Sequence, residues 1–308
     1  MSAEALNLVL FTVITAATPL LIAALGELVV ERAGVLNLGV EGMMIVGAAV
    51  GFAAGYSTGS ALIGALAGMA AGATLAALFA LLVVGLATNQ VASGLALTIF
   101  GLGVSGLIGA GFVGLKREAA PHLAIPGLSD LPFVGKLIFG HDLFVYAGLA
   151  LTVGVWWFLT RTRAGLTLRA IGDNHASGHA LGLPVRRVRV QAILFGGACA
   201  GLAGAYLSLA YTPFWTPGMT AGRGWIALAL VVFASWRPWR ALAGALLFGG
   251  ATTLQLHAQA WGGVRIPAQF MSALPYVVTI VALIVLSVWD RRGTTAPAAL
   301  GKPFVPDR

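Results

Sequence analysis

Long apolar runs separated by short polar segments fill nearly the whole chain. A helix needs about 20 apolar residues to cross the hydrocarbon core of a bilayer, and such runs recur from residue 6 to residue 289. They predict about nine transmembrane helices, within a range of eight to ten, because one or two runs are short enough to be broken or re-entrant. The predicted spans are Leu6–Gly26, Leu36–Tyr56, Ala61–Ala87, Val91–Val113, Leu143–Thr160, Val190–Tyr211, Gly224–Trp236, Ala241–Leu256 and Leu274–Trp289.

Basic residues predict the orientation of these spans. The hydrophilic stretch Arg161–Arg189 holds six arginines and one acid, and segments rich in lysine and arginine stay on the cytoplasmic side. Alternation then places most of the 18 basic residues inside. The N-terminus is expected outside, and residues 291–308 are expected to form a flexible cytoplasmic tail.

Composition agrees with a membrane protein. Hydrophobic residues make up 59% of 308 positions, charged residues 9%, and the mean hydropathy is +0.93. Soluble domains carry about 25% charged residues, so we expect an all-α polytopic protein of the cell membrane with one transmembrane domain over residues 1–308. The net charge of +8 lies at span ends, where anionic lipid is a sufficient partner. Nucleic-acid binding is not expected, because no aromatic-interleaved basic patch occurs.

Glycine spacing predicts how two spans pack. The spacing is four residues in both the second and the third span, and it gives ridges without side chains that let helix backbones approach closely. We therefore expect a tight hairpin. The ridge residues are Gly47, Gly51, Gly55 and Gly59 in one span and Gly64, Gly68 and Gly72 in the next.

A faint repeat relates this hairpin to a later one. The segments VEGMMIVGAAVGFAAGYSTGSALIGALAGMAAGA and GRGWIALALVVFASWRPWRALAGALLFGGA share two apolar runs, a polar turn and small residues after it. In the predicted topology they enter the membrane from opposite sides. An inverted repeat of this kind is common in transporters, where the substrate site lies between the copies.

Polar groups at membrane depth are the candidate functional residues, because each is costly there. The densest cluster is GELVVERAGVLNLGVEG, which contains Glu27, Glu31 and Asn37 and ends near Glu41. Gly34 and Gly39, with Asn37 between them, favour an interrupted helix, which is tolerated only when it is buried in protein or lines a cavity. Asn37 and Glu41 are therefore candidates for lining or shaping a pathway. The alternative is an ordinary inside loop.

Three further residues are weaker candidates for the pathway. Asn89 and Gln90 lie in the polar segment TNQVASG between the third and fourth spans, which could equally be a tight inside turn. Arg223 precedes the seventh span and could contact an anionic or hydroxyl-rich ligand, although a long side chain that reaches the interface explains it as well.

Signatures of several enzyme classes are missing from the sequence. There is no GxxxxGK[ST] phosphate loop, no HExxH and no cysteine cluster, since Cys199 is the only cysteine. His175 and His179 are four residues apart, but no third or fourth metal ligand stands near them. We therefore expect no catalysis, metal or cofactor, and transport is the remaining function.

Several segments, in order, resemble one transporter family. ERAGVLNLGVEGMMIVGA, TNQVASG, LRAIGDNHASGHALGLPVRRVRVQAILFGGACAGLAGAYL and GRGWIALALVVFASWRP are similar to the permease subunits of ABC importers in the branched-chain amino acid and simple-sugar superfamily. The first segment most resembles the nucleoside and simple-sugar branch. The resemblance implies a cytoplasmic ATPase subunit, a second permease chain in a heterodimer, and an extracytoplasmic substrate-binding protein.

The family's ATPase-coupling segment corresponds to residues 172–183 of the inside loop 161–190. An N-cap at Asp173 or Asn174 and a stop at Gly182 predict a short helix there. One departure is that relatives often carry Asn-Pro-Arg where this chain has Asn174-His175-Ala176. The residues assigned to coupling by resemblance are Gly172, Asp173, Asn174, His175, Ala176, Ala180, Leu181 and Gly182.

The resemblance implies uptake by alternating access, with nucleosides as the first expectation for the substrate, simple sugars the second and amino acids the third. Two other functions stay open on the residues alone. A proton-coupled carrier would titrate Glu41 or Glu27, and a membrane scaffold would have no pathway at all.

Overall fold

The structure, a computed structural model, describes residues 3–123, 134–260 and 296–305 together with the single positions 277, 281 and 284. Within these residues the secondary structure is helical, and the only β pairing is three isolated bridges. This confirms the all-α expectation. The helices are α1 (Ala3–Arg32), α2 (Val40–Thr58), α3 (Ala61–Ala80), α4 (Gln90–Gly109), α5 (Val134–Phe139), α6 (Leu143–Arg161), α7 (Arg163–Asp173), α8 (His175–Ala180), α9 (Val185–Tyr206), α10 (Arg223–Phe233) and α11 (Pro238–Ala260).

Six helical segments in the described part of the chain are long and apolar enough to cross a membrane. They agree with the first six predicted spans to within a few residues at most ends. The larger differences are the C-terminal extension of α1 to Arg32 and the start of α9 at Val185, five residues before the predicted start. The six segments are Leu6–Arg32, Val40–Thr58, Ala61–Gly85, Gln90–Phe112, Leu143–Arg161 and Val185–Tyr211.

The last three predicted spans fare differently. The prediction of a span at Gly224–Trp236 is not confirmed as a continuous helix, because α10 has 11 residues, about 16 Å of helix, and the hydrocarbon core is about 30 Å thick. A broken or re-entrant span at this position stays a prediction. The prediction at Ala241–Leu256 falls within the 23-residue helix α11. The prediction at Leu274–Trp289 lies outside the described residues except for positions 277, 281 and 284, which are helical.

Helix α9 lies at the centre of the bundle and packs against α1, α2 and α3. The predicted α2–α3 hairpin is present, with Gly51 against Gly64. The glycine ridges also receive α9, because Gly201 lies against Gly47 on one side and against Gly68 on the other. Three helix backbones therefore meet with almost no side chain between them, which gives the close van der Waals contact that lipid-embedded helices need.

The two hairpins that suggested an inverted repeat differ in structure. The first, α2–α3, is built from helices of 19 and 20 residues, whereas α10 in the second has only 11. The first turns of α2 and α10 do meet, through the carboxylate of Glu41. The inverted repeat stays a hypothesis.

The glycine packing predicts that Gly201→Val destabilises the fold. A Cβ at this position would lie closer than 3.0 Å to the Gly68 backbone oxygen, and overpacking of this kind costs about 1–3 kcal/mol or more. Thermal unfolding of the purified chain in detergent measures the loss. The matched control is Gly106→Val in α4, where an added Cβ meets no atom within 4 Å; equal Tm values for the two variants would contradict the packing.

Candidate functional site

The seven residues between α1 and α2, which we call the α1–α2 break (33–39), form the interruption expected from the glycine spacing. Helix α1 ends at Arg32, and Gly34 follows in a left-handed conformation with φ of 81°. Its backbone N–H donates to the Glu31 carbonyl at 2.8 Å, which is a usual way to end a helix. The break is buried or half-buried throughout.

Glu27 and Asn37 provide hydrogen-bond acceptors for backbone N–H groups of this break. The Asn37 backbone N–H donates to Glu27 Oε1 at 3.2 Å, and the Asn37 side-chain amide donates to Glu27 Oε2 at 3.4 Å. Asn37 Oδ1 in turn accepts from the Gly39 N–H at 3.0 Å. Both side chains are fully buried. Asn37, predicted to line or shape a pathway, thus shapes the break in this structure, and a role in lining stays a prediction.

Gln90, in α4, forms a hydrogen bond with the backbone of the same break, whereas Asn89 caps α4. Gln90 Oε1 accepts from the Leu36 N–H at 2.8 Å, and its amide donates to the Lys302 carbonyl at 3.4 Å. Asn89 is exposed and caps α4 by accepting from the Ala92 N–H at 3.0 Å. The structure therefore separates these two predicted residues, since one lies inside the protein and the other acts as a helix cap.

Glu41 joins the beginnings of two helices. It is the second residue of α2, and its carboxylate accepts from the Thr220 hydroxyl at 2.6 Å, the Gly222 N–H at 2.9 Å and the Gly224 N–H at 2.6 Å. These donors lie at the N-terminus of α10, where unpaired N–H groups and the helix dipole favour an anion. The buried carboxylate thereby fixes where the short helix begins.

Arg223 does not take part in this contact. Its guanidinium donates to the carbonyls of Met219 at 3.1 Å and Thr220 at 3.3 Å, and it lies 5.8 Å from the centre of the Tyr211 ring. The side chain therefore stabilises the turn before α10. Its predicted contact with a substrate stays a prediction.

The predicted coupling segment contains a short helix, α8. Asn174 Oδ1 accepts from the Ser177 N–H at 3.0 Å and caps it, whereas Asp173 is the last residue of α7. Gly182 follows with φ of 76°, as a helix stop requires. Ala176, Ala180 and Leu181 are exposed, and Leu181 keeps 80% of its surface in contact with solvent.

Residues 296–305, which we call the tail segment, pack beneath α8, although the sequence predicts a flexible tail. The Ala299 N–H donates to the Gly172 carbonyl at 2.9 Å. Phe304 is buried and meets the rings of His175 and His179 edge-on, each at 5.4 Å between centres. These contacts hold the tail segment in place, because they bury the Phe304 ring and pair a backbone N–H of the segment in a hydrogen bond.

Arg189 connects the tail segment, the coupling segment and the α1–α2 break. Its Nε donates to the Ala33 carbonyl, its Nη1 to the Lys302 carbonyl and its Nη2 to His175 Nδ1, each at 3.2 Å. Burial, followed by the nearby charges of Arg189 and Lys302, lowers the pKa of His175. The imidazole is therefore neutral near pH 7 and can accept the hydrogen bond.

Sequence reasoning missed this role of Arg189. The predicted span begins at Val190, which leaves Arg189 at the end of the hydrophilic stretch Arg161–Arg189. The helix begins at Val185 instead, and residues four apart share a face. Val185 and Arg189 are accordingly both 2% exposed. The four-residue spacing between Val185 and Arg189 predicts that Arg189 is buried, but only when the helix is known to begin at Val185.

A groove between α6, α7 and α9 has a volume of about 770 Å³. Its lining is apolar apart from Thr167 and Gln191. A binding site for a polar solute needs several convergent polar groups, so we do not assign this groove to a substrate.

The fold and the site define a class of protein. The described part of the chain is a helical membrane bundle with a helix interrupted at buried polar groups, a feature common in transport proteins. A family model described as the permease component of the branched-chain amino acid transport system matches residues 9–283. The chain belongs to this permease family and is a multi-pass protein of the cell membrane.

Individual relatives agree with the family and with the resemblance drawn from the sequence. A putative glucose ABC transporter permease of Haloferax volcanii is 44% identical over 88% of each chain. A guanosine ABC transporter permease of Bacillus subtilis is 31% identical over 98% of each chain, and a nucleoside ABC transporter permease of Lactococcus lactis is 30% identical over 90% of this chain and 92% of its own. No solved structure matches the chain.

The Glu41 contacts predict that Glu41→Gln destabilises the start of α10. The amide cannot accept from all three donors, and a hydrogen bond to a charged group contributes about 1.5–3 kcal/mol. We expect a lower Tm for the purified chain in detergent. Glu118→Gln removes an exposed carboxylate and serves as the control. An unchanged Tm in Glu41→Gln would show that the carboxylate does not hold α10.

Proposed function

We propose that this chain forms half of the substrate pathway of an ATP-driven importer and is moved by an ATPase that docks at α8. The observation that carries the proposal is the exposed, capped helix α8 of a permease-family chain, connected to the α1–α2 break through Arg189. Ala176 and Ala180 leave room for a partner on one side of α8, and Leu181 offers an exposed apolar contact.

The partners of this chain follow from its family and from what it lacks. ABC permeases work with an ATPase and a substrate-binding protein, and this sequence has no phosphate loop with which to hydrolyse ATP. The importer thus combines the chain with a cytoplasmic ATPase subunit, an extracytoplasmic binding protein and a second permease chain in a heterodimer.

The proposed topology has nine spans, with the N-terminus outside and the C-terminus inside. The basic stretch 161–189 supports it, because lysine and arginine accumulate on the cytoplasmic side. This orientation places α8 and the tail segment where a cytoplasmic ATPase can reach them.

The proposed substrates are nucleosides or simple sugars. The names of the three relatives refer to glucose, guanosine and nucleosides. The described pathway candidates are few and are engaged in structural hydrogen bonds, so selectivity rests largely with the binding protein.

Arg189 is the proposed link between ATPase movement and the membrane. A displacement of α8 moves His175, and the guanidinium carries this movement to the Ala33 carbonyl at the beginning of the break. The break can respond because a non-helical segment changes its dihedral angles more easily than a continuous helix.

Reconstituted uptake tests the proposed function. In proteoliposomes that contain the chain with its ATPase, second permease and binding protein, we expect accumulation of labelled nucleoside or sugar that requires internal ATP. Vesicles with a catalytically inactive ATPase are the control.

Two outcomes would contradict this function. Uptake driven by a proton gradient without an ATPase would establish the secondary carrier in its place. Uptake that stays at its full rate when Glu41→Gln and Asn37→Ala are combined would favour a scaffold without a pathway.

The link through Arg189 predicts a loss of coupling in Arg189→Lys. Lysine keeps the charge but lacks the planar fork that reaches three separate acceptors. We expect uptake per ATP hydrolysed to fall several-fold, while the ATPase still binds. The measurement is the ratio of transport to hydrolysis in the same vesicles, and Arg187→Lys, at an exposed neighbouring position, is the control. A proportional fall in both rates would indicate a purely structural role.

A further inference from the structure

A second polar site lies at the ends of four helices, away from α8. Its groove has a volume of about 430 Å³ between the end of α1, the last turns of α6, helix α7 and the beginning of α11. We call it the basic groove. The residues that matter for its chemistry are Arg32, Arg169, Arg237, Arg240, Trp156 and Trp239.

The four arginines come from separate elements and converge here. Arg32 ends α1, Arg169 lies in α7, Arg237 connects α10 to α11, and Arg240 lies in the first turn of α11. Asp173 attracts the charge of Arg32, and Arg169 and Arg237 both lie close enough to repel it. Like charges gathered in this way favour the binding of an anion.

At least one arginine N–H group of the groove is left without a hydrogen-bond partner in the described part of the protein. Arg169 Nε is buried and has no hydrogen-bond partner among the described residues. Arg237 is exposed. Trp236, which also lines the groove, donates through Nε1 to Glu31 Oε2 at 2.6 Å. Arginine donors of this kind bind phosphate in a bidentate manner.

Two tryptophans form an aromatic wall for the groove. The rings of Trp156 and Trp239 are 6.4 Å apart and tilted by 57°, and Trp239 is 49% exposed. Tryptophan at the end of a transmembrane helix lies at the level of the lipid headgroups. The groove therefore offers charge for a phosphate and aromatic surface for the glycerol and acyl region beside it.

We propose that the basic groove binds the phosphate of an anionic phospholipid. The shared chemistry is a phosphate anion, and the aromatic wall at headgroup level favours a lipid over free phosphate. That the lipid belongs to the inner leaflet rests on the orientation given with the proposed function. Basic pockets between transmembrane helices are suited to such headgroups.

Thermal unfolding of the full-length chain, purified with its partner subunits, tests this site. Short-chain phosphatidylglycerol is expected to raise the Tm of the wild type, and the shift is expected to be lost in Arg169→Gln/Arg237→Gln. Arg186→Gln/Arg187→Gln removes the same charge from exposed positions at the start of α9 and is expected to keep the shift. Short-chain phosphatidylcholine and inorganic phosphate are expected to give none.

Other outcomes would overturn the proposal. An equal shift in all three proteins would show that no specific site exists, and an equal shift with inorganic phosphate would assign the groove to a soluble anion. Cross-linking of Arg237→Cys to a partner subunit, without any phosphatidylglycerol effect, would make it a protein contact. If the double variant does not fold, Arg237→Gln alone is expected to retain fewer phosphatidylglycerol molecules in native mass spectrometry.

The lipid assay is independent of transport. It measures lipid binding in detergent, so a failure leaves the ATP-driven importer intact. An importer that fails to use ATP would likewise leave lipid binding in place, because neither the Tm shift nor the lipid count depends on hydrolysis.

Discussion

The structure depends on one constraint: backbone N–H and C=O groups in an apolar environment need hydrogen-bond partners. At the α1–α2 break the helix gives up its internal hydrogen bonds, and side chains from distant parts of the sequence replace them. Glu27 and Gln90 accept N–H groups, while Thr98 donates to the Leu38 carbonyl at 2.9 Å. Arg189 does the same for Ala33. The costly polar groups at membrane depth are thus explained first as partners for an interrupted backbone.

This arrangement gives the protein both rigid and adjustable parts. Helices α2, α3 and α9 meet through glycine ridges, and their close backbones have little freedom to move separately. The break and the short helix α10 are held by directional hydrogen bonds, which can exchange between discrete partners. A transporter that alternates between two states needs such a division, since the same chain must keep its fold while part of it moves.

Patterns that act over a few residues predict much of this structure. Contacts between residues far apart in the sequence could not be predicted in this way. The six spans, the α2–α3 hairpin and α8 follow from apolar run length, glycine spacing and the cap at Asn174, all of which act over a few residues. The partner of Glu41 lies more than 170 residues away in the chain, at Thr220, and no local pattern identifies it. The same holds for Arg189 and for the packing of Phe304. Helix α10 ends at Phe233, before Ser235 and Trp236, which have φ of 50° and 53°.

The position of the tail segment in the chain has a consequence for biosynthesis. Residues 296–305 follow all the described helices, and proteins are made from the N-terminus. Helix α8 therefore cannot acquire its contact with Phe304, nor Arg189 its contact with Lys302, until the described helices before the tail segment have been synthesised. A chain that stops short of these residues could insert its described helices and still lack the packing beneath α8. The packing beneath α8 thus forms only after the described helices have been synthesised.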